Sequence, residues 1–167
     1  MNFLQSMEKT DLKKYFHTTS CIIPLNLNRE TCTLNNVDLD QFINIYSDFL
    51  DYMNSLYTVK HEYVAGEYRE RALQLLHKKE TITLAYIANG TILGFVNYHI
   101  NTLGLNVRIN EIFIMDKYRK LGIGTKLLQY IETIACENKF VKSIELSVNE
   151  NNELAKKFYV NYGFKYK

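Results

Sequence analysis

The 167-residue sequence has no tryptophan, a single proline, seven glycines and three cysteines. So little proline and glycine excludes a collagen-like repeat or a low-complexity linker protein. Cys21, Cys32 and Cys136 are odd in number and form no C-x-x-C pair, so neither a disulfide framework nor a zinc site follows. Reduced thiols buried as small apolar residues are the expectation. Of His17, His61, His77 and His99, none stands four residues from another, and no metal site is read from them. Nothing approaches ~18 uninterrupted apolar residues, the length a spanning helix needs. The first thirty residues also lack the apolar stretch of a secretory signal, so a cytoplasmic location and no membrane partner are expected.

What is present fits one domain. Hydrophobic residues make up 47% and charged residues 23%, a balance that supports one packed core at this length. The net charge of +2 hides an asymmetry. Residues 1–116 hold 10 Lys/Arg against 13 Asp/Glu, whereas residues 117–167 hold 10 against 5. An anionic ligand would find its potential in the C-terminal third, although a solvated basic surface explains the same excess. The excess is too small to argue for nucleic acid.

Residues 1–28 show weak periodicity and read as an N-terminal extension, with a short helix near 7–16; residues 29–167 read as one domain. Thr31–Leu34 suits a short strand, and Asp38 or Asp40 suits a helix cap. Leu39, Phe42, Ile43, Tyr46, Phe49, Leu50 and Met53 then follow at helical spacing. A second helix fits residues 66–78. Thr81–Ala88 and Thr91–Ile100 alternate with period two around Asn89-Gly90, a strong hairpin signal. Residues 107–115 make a third strand, 125–138 an amphipathic helix, 143–148 a strand and 151–162 a last helix closed by Gly163. The expected fold class is mixed α/β. An antiparallel meander joins a βαβ crossover whose two strands run parallel.

The crossover loop, Tyr118-Arg119-Lys120-Leu121-Gly122-Ile123-Gly124-Thr125-Lys126, leaves a strand and opens a helix. Its backbone N–H groups therefore sit at the positive end of a helix dipole. Two glycines permit close approach, and Arg119, Lys120 and Lys126 add charge, so the segment has the makings of a pyrophosphate cradle. It fails the nucleotidase pattern G-x-x-x-x-G-K-[ST], and Leu127 stands where G-x-G-x-x-G needs its third glycine. A tight turn without a ligand remains the alternative. A second segment, Asn152 to Phe164, has the form N-x-x-A-x-x-F-Y-x-x-x-G-F.

Together, R-x-x-G-x-G from Arg119 to Gly124 and this tyrosine-bearing helix resemble the GNAT superfamily of acyl-CoA-dependent N-acyltransferases, over about 135 residues of the chain. The resemblance implies a splayed opening between the two parallel strands, with helices on both faces of the sheet. It implies acetyl-CoA as co-substrate, held by main-chain groups of Ile114 and Asp116, by the loop Arg119, Lys120, Leu121, Gly122, Ile123, Gly124 and Thr125, and by Asn152. It implies direct transfer of an acetyl group to a primary amine in a ternary complex. Tyr159 would be the acid for the departing thiolate, with a packing tyrosine as the alternative. Glu111 would be the base, in phase with Ile109, Phe113 and Met115 on an apolar side where desolvation raises its pKa; a strand-end carboxylate in water is the alternative. Two other functions stay open, a non-catalytic acyl-CoA-binding module and a toxin-like acetyltransferase acting on aminoacyl-tRNA.

Family members usually continue past G-F with two further strands, whereas this sequence stops at Lys167. Part of residues 1–28 is expected to complete this sheet, or the partner's sheet in a homodimer. The acceptor is open. Residues 38–80 carry 8 Asp/Glu against 5 Lys/Arg, an acidic lining that would favour a cationic amine if those carboxylates face the site.

Overall fold

The computed structural model describes residues 20–28, 30–35 and 37–167, so the helix expected near 7–16 lies outside the described residues. Five strands form the main sheet: β1 (Ser20–Pro24), β4 (Ile82–Ala88), β5 (Thr91–Asn101), β6 (Asn106–Ile114) and β7 (Ser143–Leu146), in the order β1-β4-β5-β6-β7. A small ribbon, β2 (Leu27–Asn28) with β3 (Thr33–Leu34), stands apart. The meander is antiparallel, and β6 runs parallel to β7. The helices are α1 (Leu39–Ser55), α2 (Glu67–His77), α3 (Ile123–Glu137) and α4 (Glu153–Tyr162).

Local chemistry accounts for these boundaries. Asp38 caps α1 by accepting from the Asp40 N–H at 3.0 Å. Asn89 and Gly90 both take positive φ, 49° and 74°, as the two-residue turn from β4 to β5 requires. At the end of α4, Gly163 adopts φ 120° while Phe164 N–H reaches back to the Tyr159 carbonyl at 3.0 Å and Gly163 N–H to that of Val160 at 3.1 Å. This double closure satisfies carbonyls that the helix would otherwise leave bare.

The sheet separates two apolar layers. On one face Phe42, Tyr46 and Phe49 of α1 and Ala72 and Leu75 of α2 pack against Ala85, Ile87, Phe95 and Phe113. On the other, Ile123, Leu127, Leu128 and Ile131 of α3 and Tyr159 of α4 cover Leu84, Tyr86, Val96, Val107 and Ile109.

Three expectations change. Residues 20–28 are no extension, because β1 forms the sheet edge beside β4 and Leu25 is buried. That edge is opposite β7, so β1 does not take the place of strands beyond Phe164. The cysteines are exposed rather than buried: Cys32 sits at φ 52° in the β2–β3 turn, and Cys136 lies in the last turn of α3, past its buried residues.

The third change concerns strand phase. Asn97 pairs with Glu111 but Tyr98 pairs with Ile109, which leaves Asn110 as a bulge in β6. A bulge exchanges the faces of everything beyond it. Val107 and Ile109 face α3, whereas Phe113 and Met115 face α1. Glu111 shares a side with Phe113 and Met115 but not with Ile109.

Candidate active site

The pairing of β6 with β7 covers four positions, from Asn106 opposite Ser143 to Ile109 opposite Leu146, and then stops. Beyond it β6 continues to Ile114 while Ser147, Val148 and Asn149 diverge. The strand expected over 143–148 ends early because its partner has gone. A slot of about 500 Å³ opens in the gap, lined on one side by Phe49, Tyr52 and Met53 of α1 and on the other by the α3 N-terminus and α4. Because these layers lie on opposite faces of the sheet, the slot passes through it.

The β6 edge of the gap offers main-chain groups. Met115 N–H donates to the Leu93 carbonyl of β5 at 3.1 Å. Alternation then turns the N–H and C=O of Ile112 and Ile114 toward the gap. The Ile114 carbonyl is already taken by Arg119 Nε at 3.0 Å. An extended chain laid here would have the remaining groups to pair with, as an added strand does.

At one end of the slot stands the cradle. Gly122 caps α3 at φ 83° with no side-chain hydrogen bond, and the first helical bond runs from Lys126 N–H to the Gly122 carbonyl at 3.0 Å. The N–H groups of Ile123, Gly124 and Thr125 thus have no helical acceptor, and the dipole adds about half a positive charge there. Lys120 precedes them at φ 62°. The two glycines serve different needs. A Cβ at Gly122 would meet nothing within 4 Å, so what that position needs is its positive φ. A Cβ at Gly124 would stand 3.0 Å from the Phe158 ring, so that glycine lets α3 and α4 meet.

Two of the three expected cations are engaged elsewhere. Arg119 turns inward, with Nη2 2.6 Å from Asp116 Oδ1 and its guanidinium 4.8 Å from the Tyr52 ring centre and 5.3 Å from that of Phe113. Lys126 points to the Tyr86 hydroxyl at 3.2 Å, away from the slot. Ile114, Arg119, Lys120, Gly122, Ile123, Gly124, Thr125 and Asn152 line the slot; Asp116 and Leu121 do not. Asn152 caps α4 through Ala155 N–H at 3.1 Å, and the same Oδ1 accepts from Tyr52 at 2.8 Å, tying α1 to α4.

Tyr159 and Glu111 both line the slot, on opposite faces of the sheet. Tyr159 is buried against Phe164 and Phe158, at ring separations of 5.7 and 5.4 Å. Burial, with the Tyr52 phenol nearby, pushes its pKa up, so it stays a protonated donor. Glu111 Oε1 accepts from the Tyr46 hydroxyl at 3.3 Å, while Oε2 is shut off from solvent with no partner among the described residues. Desolvation raises this carboxyl to about 7, against the opposing pull of Tyr46 and Lys78.

The α1–α2 side looks different. Of the eight acids in residues 38–80, Asp40 turns to Arg69, Asp51 to Tyr68, and Glu67 to both His61 and Arg71. None of them lines the slot. Spacing missed Tyr46, Tyr52 and Asn110: Tyr46 reads as a member of an amphipathic helix, Tyr52 falls outside that helix's apolar stripe, and no local signal marks the bulge.

The model of the acetyltransferase (GNAT) family matches residues 42–164. The chain belongs to that family. It is thus an acyltransferase of the GNAT type, and the mixed sheet, with β6 parallel to β7, is the family's fold. No curated protein matches the chain. Solved structures do. An integron cassette protein from the mobile metagenome of V. cholerae is 18% identical, with a TM-score of 0.66 over 89% of this chain and 86% of that one. A ribosomal-protein-alanine N-acetyltransferase from Brucella melitensis biovar Abortus 2308 is 16% identical, with a TM-score of 0.67 over 89% and 93%. AAC(6')-Iy, bound to the bisubstrate analog CoA-S-monomethyl-acetylneamine, is 15% identical, with a TM-score of 0.60 over 89% and 92%. At such identities the likeness is one of fold. Among the described residues no helix is long and apolar enough to cross a membrane.

Proposed function

We propose that this GNAT acetyltransferase takes acetyl-CoA as its acyl donor and a primary amine as its acceptor, both held at once. The observation that carries the reading is the slot itself, with unpaired helix amides at one end and two ionisable groups, Tyr159 and Glu111, on opposite sides of the sheet. The residues present fit the donor. The open space at Gly122 and the unpaired amides of Ile123, Gly124 and Thr125 suit a pyrophosphate, and Ile112 and Ile114 offer main-chain groups to its amide-bearing arm. About 500 Å³ admits that arm and an acetyl group, leaving the nucleotide end outside. Solved neighbours of the same fold include one with CoA bound.

Acetyl-CoA supplies the acetyl group as a thioester. Glu111 takes the proton from the acceptor's ammonium group, freeing its lone pair. With its carboxyl near 7, it is half-charged at neutral pH and can both accept and release that proton. Tyr159 donates from its hydroxyl toward the departing sulfur. Because burial raises its pKa, proton transfer to a thiolate becomes less favourable, and donation of a hydrogen bond is the larger part of its role. Lys120 stands beside the cradle; Arg119 holds the loop against β6. Asn152 acts through position, as the cap of α4.

A thermal-shift titration with acetyl-CoA, CoA and ATP tests the reading. At a ligand concentration about 100 times Kd, binding should add ~2.7 kcal/mol of stability, a rise of several degrees. A shift with acetyl-CoA and CoA but not ATP supports it; no shift with any of the three overturns it. Thiol release against a panel of amines then identifies the acceptor.

A further inference from the structure

Oε2 of Glu111 is one of only two buried side-chain polar atoms, among the described residues, with no hydrogen-bond partner. Such orphans are rare in folded proteins, more so when one belongs to a carboxyl group. Its other oxygen is held by Tyr46. The Tyr46 ring is wedged among Phe42, Phe49 and Phe95 at separations of 5.8, 5.6 and 5.8 Å, which leaves its hydroxyl little freedom. The bulge at Asn110 is what turns Glu111 to this side of the sheet. Asn110 itself donates to Asn97 at 2.8 Å, and Asn97 donates to Thr83 at 2.9 Å, so this buried strip of β4, β5 and β6 presents no charge to Glu111. Lys78, just past α2, is the cation that acts on Glu111, whereas Arg71 of α2 and Tyr63 act on Tyr46.

We propose that Tyr46 is a positioning residue, whose hydroxyl holds Glu111 Oε1 on the α1 side and so leaves Oε2, the oxygen with no protein partner among the described residues, to take the proton. This rests on the reading of Glu111 as the base. The ammonium proton, passed directly or through one water, goes to Oε2; the carboxylate becomes a carboxylic acid, and the electron pair of the broken N–H bond stays on nitrogen. Without the hydroxyl the carboxyl group can rotate, and neither oxygen is reserved for the acceptor. A donated hydrogen bond also favours the charged carboxylate, so Tyr46 opposes the desolvation around it.

The test is a carbon-detected NMR titration of the glutamate carboxyls in the full chain, with Glu111→Gln assigning the Glu111 signal. Tyr46→Phe keeps the ring and removes the hydroxyl. The Glu111 midpoint should rise by about 0.5–1 pH unit in that variant, the worth of one hydrogen bond. The acid limb of thiol release from acetyl-CoA, with propylamine as the probe amine, should move up with it. An unmoved midpoint overturns the role of Tyr46, even if Glu111→Gln abolishes thiol release and so upholds the base. A midpoint that moves while Glu111→Gln keeps the full rate overturns both, because Tyr46 would then position a bystander.

Discussion

The two sides of the slot are built on different plans. On the α3–α4 side the cradle is made of main-chain amides that no helical carbonyl takes, placed by a glycine at positive φ and by the start of a helix. On the α1 side the polar groups at the opening are side chains already engaged, Tyr52 with Asn152 and Glu111 with Tyr46, while the acids of the two helices lie away from it, Asp40 on Arg69, Asp51 on Tyr68 and Glu67 on Arg71. A backbone site depends on chain geometry and tolerates changes in the side chains around it. A side-chain site depends on which residues happen to stand there. This is why a short motif can point to the place proposed for the donor while leaving the acceptor unnamed.

The largest effect expected from breaking this contrast falls on Glu111, which stands between the two plans. Its folded-state value is raised, from an ordinary 4.5 to about 7, so its protonated form is favoured in the native chain. The contribution is therefore greatest below about 4.5 and is lost as pH rises through 7. It amounts to about 2–3 kcal/mol across that window. Thermal melts of wild type and Glu111→Gln between pH 4.5 and 8 should diverge accordingly, with the variant gaining relative stability at the alkaline end. Parallel curves would place Glu111 in ordinary solvent. Next comes Tyr159→Phe, which should lower turnover about 10²-fold, the low end for a lost proton or hydrogen-bond donor. Acetyl-CoA affinity, measured by calorimetry, should change less than about threefold if the binding side is the backbone alone.

Gly122→Val forces a β-branched side chain into left-handed backbone, a strain of about 1–3 kcal/mol. The cradle should deform with it, and CoA affinity should fall about tenfold or more. Retained affinity would mean that the amides are not the site. The smallest effect belongs to the self-paired side. Arg69→Ala breaks an ion pair whose partners are both well exposed. It should shift stability by at most about 0.5 kcal/mol and leave CoA affinity unchanged.

The parts that sequence makes legible are those controlled by near neighbours. Asn89-Gly90 marks the hairpin because both positions must take positive φ, and Gly163 marks the helix end for a related reason. The loop and the tyrosine helix are legible as a pair. What lies beyond such reading depends on distant partners. The bulge at Asn110 has no local signature, yet it reverses the face of every later residue in β6, so Glu111 keeps company with Phe113 but not with Ile109. The inward turn of Arg119 arises from the rings of Tyr52 and Phe113, which are 67 and 6 residues away along the chain. Cys21 reads as core by type and stands exposed on the edge strand. The early end of β7 reflects the departure of its neighbour and not its own composition.

The Cβ that Gly124 lacks would stand 3.0 Å from Phe158, and Phe158 belongs to the other motif. Two segments more than thirty residues apart are thus spelled as they are partly on each other's account. A lineage in which position 124 gained a side chain would have to shift the Phe158 ring, a wall of the slot, by a few tenths of an ångström or trim it. The pair should drift together or not at all, and Gly124→Ala ought to be better tolerated beside Phe158→Leu than on its own.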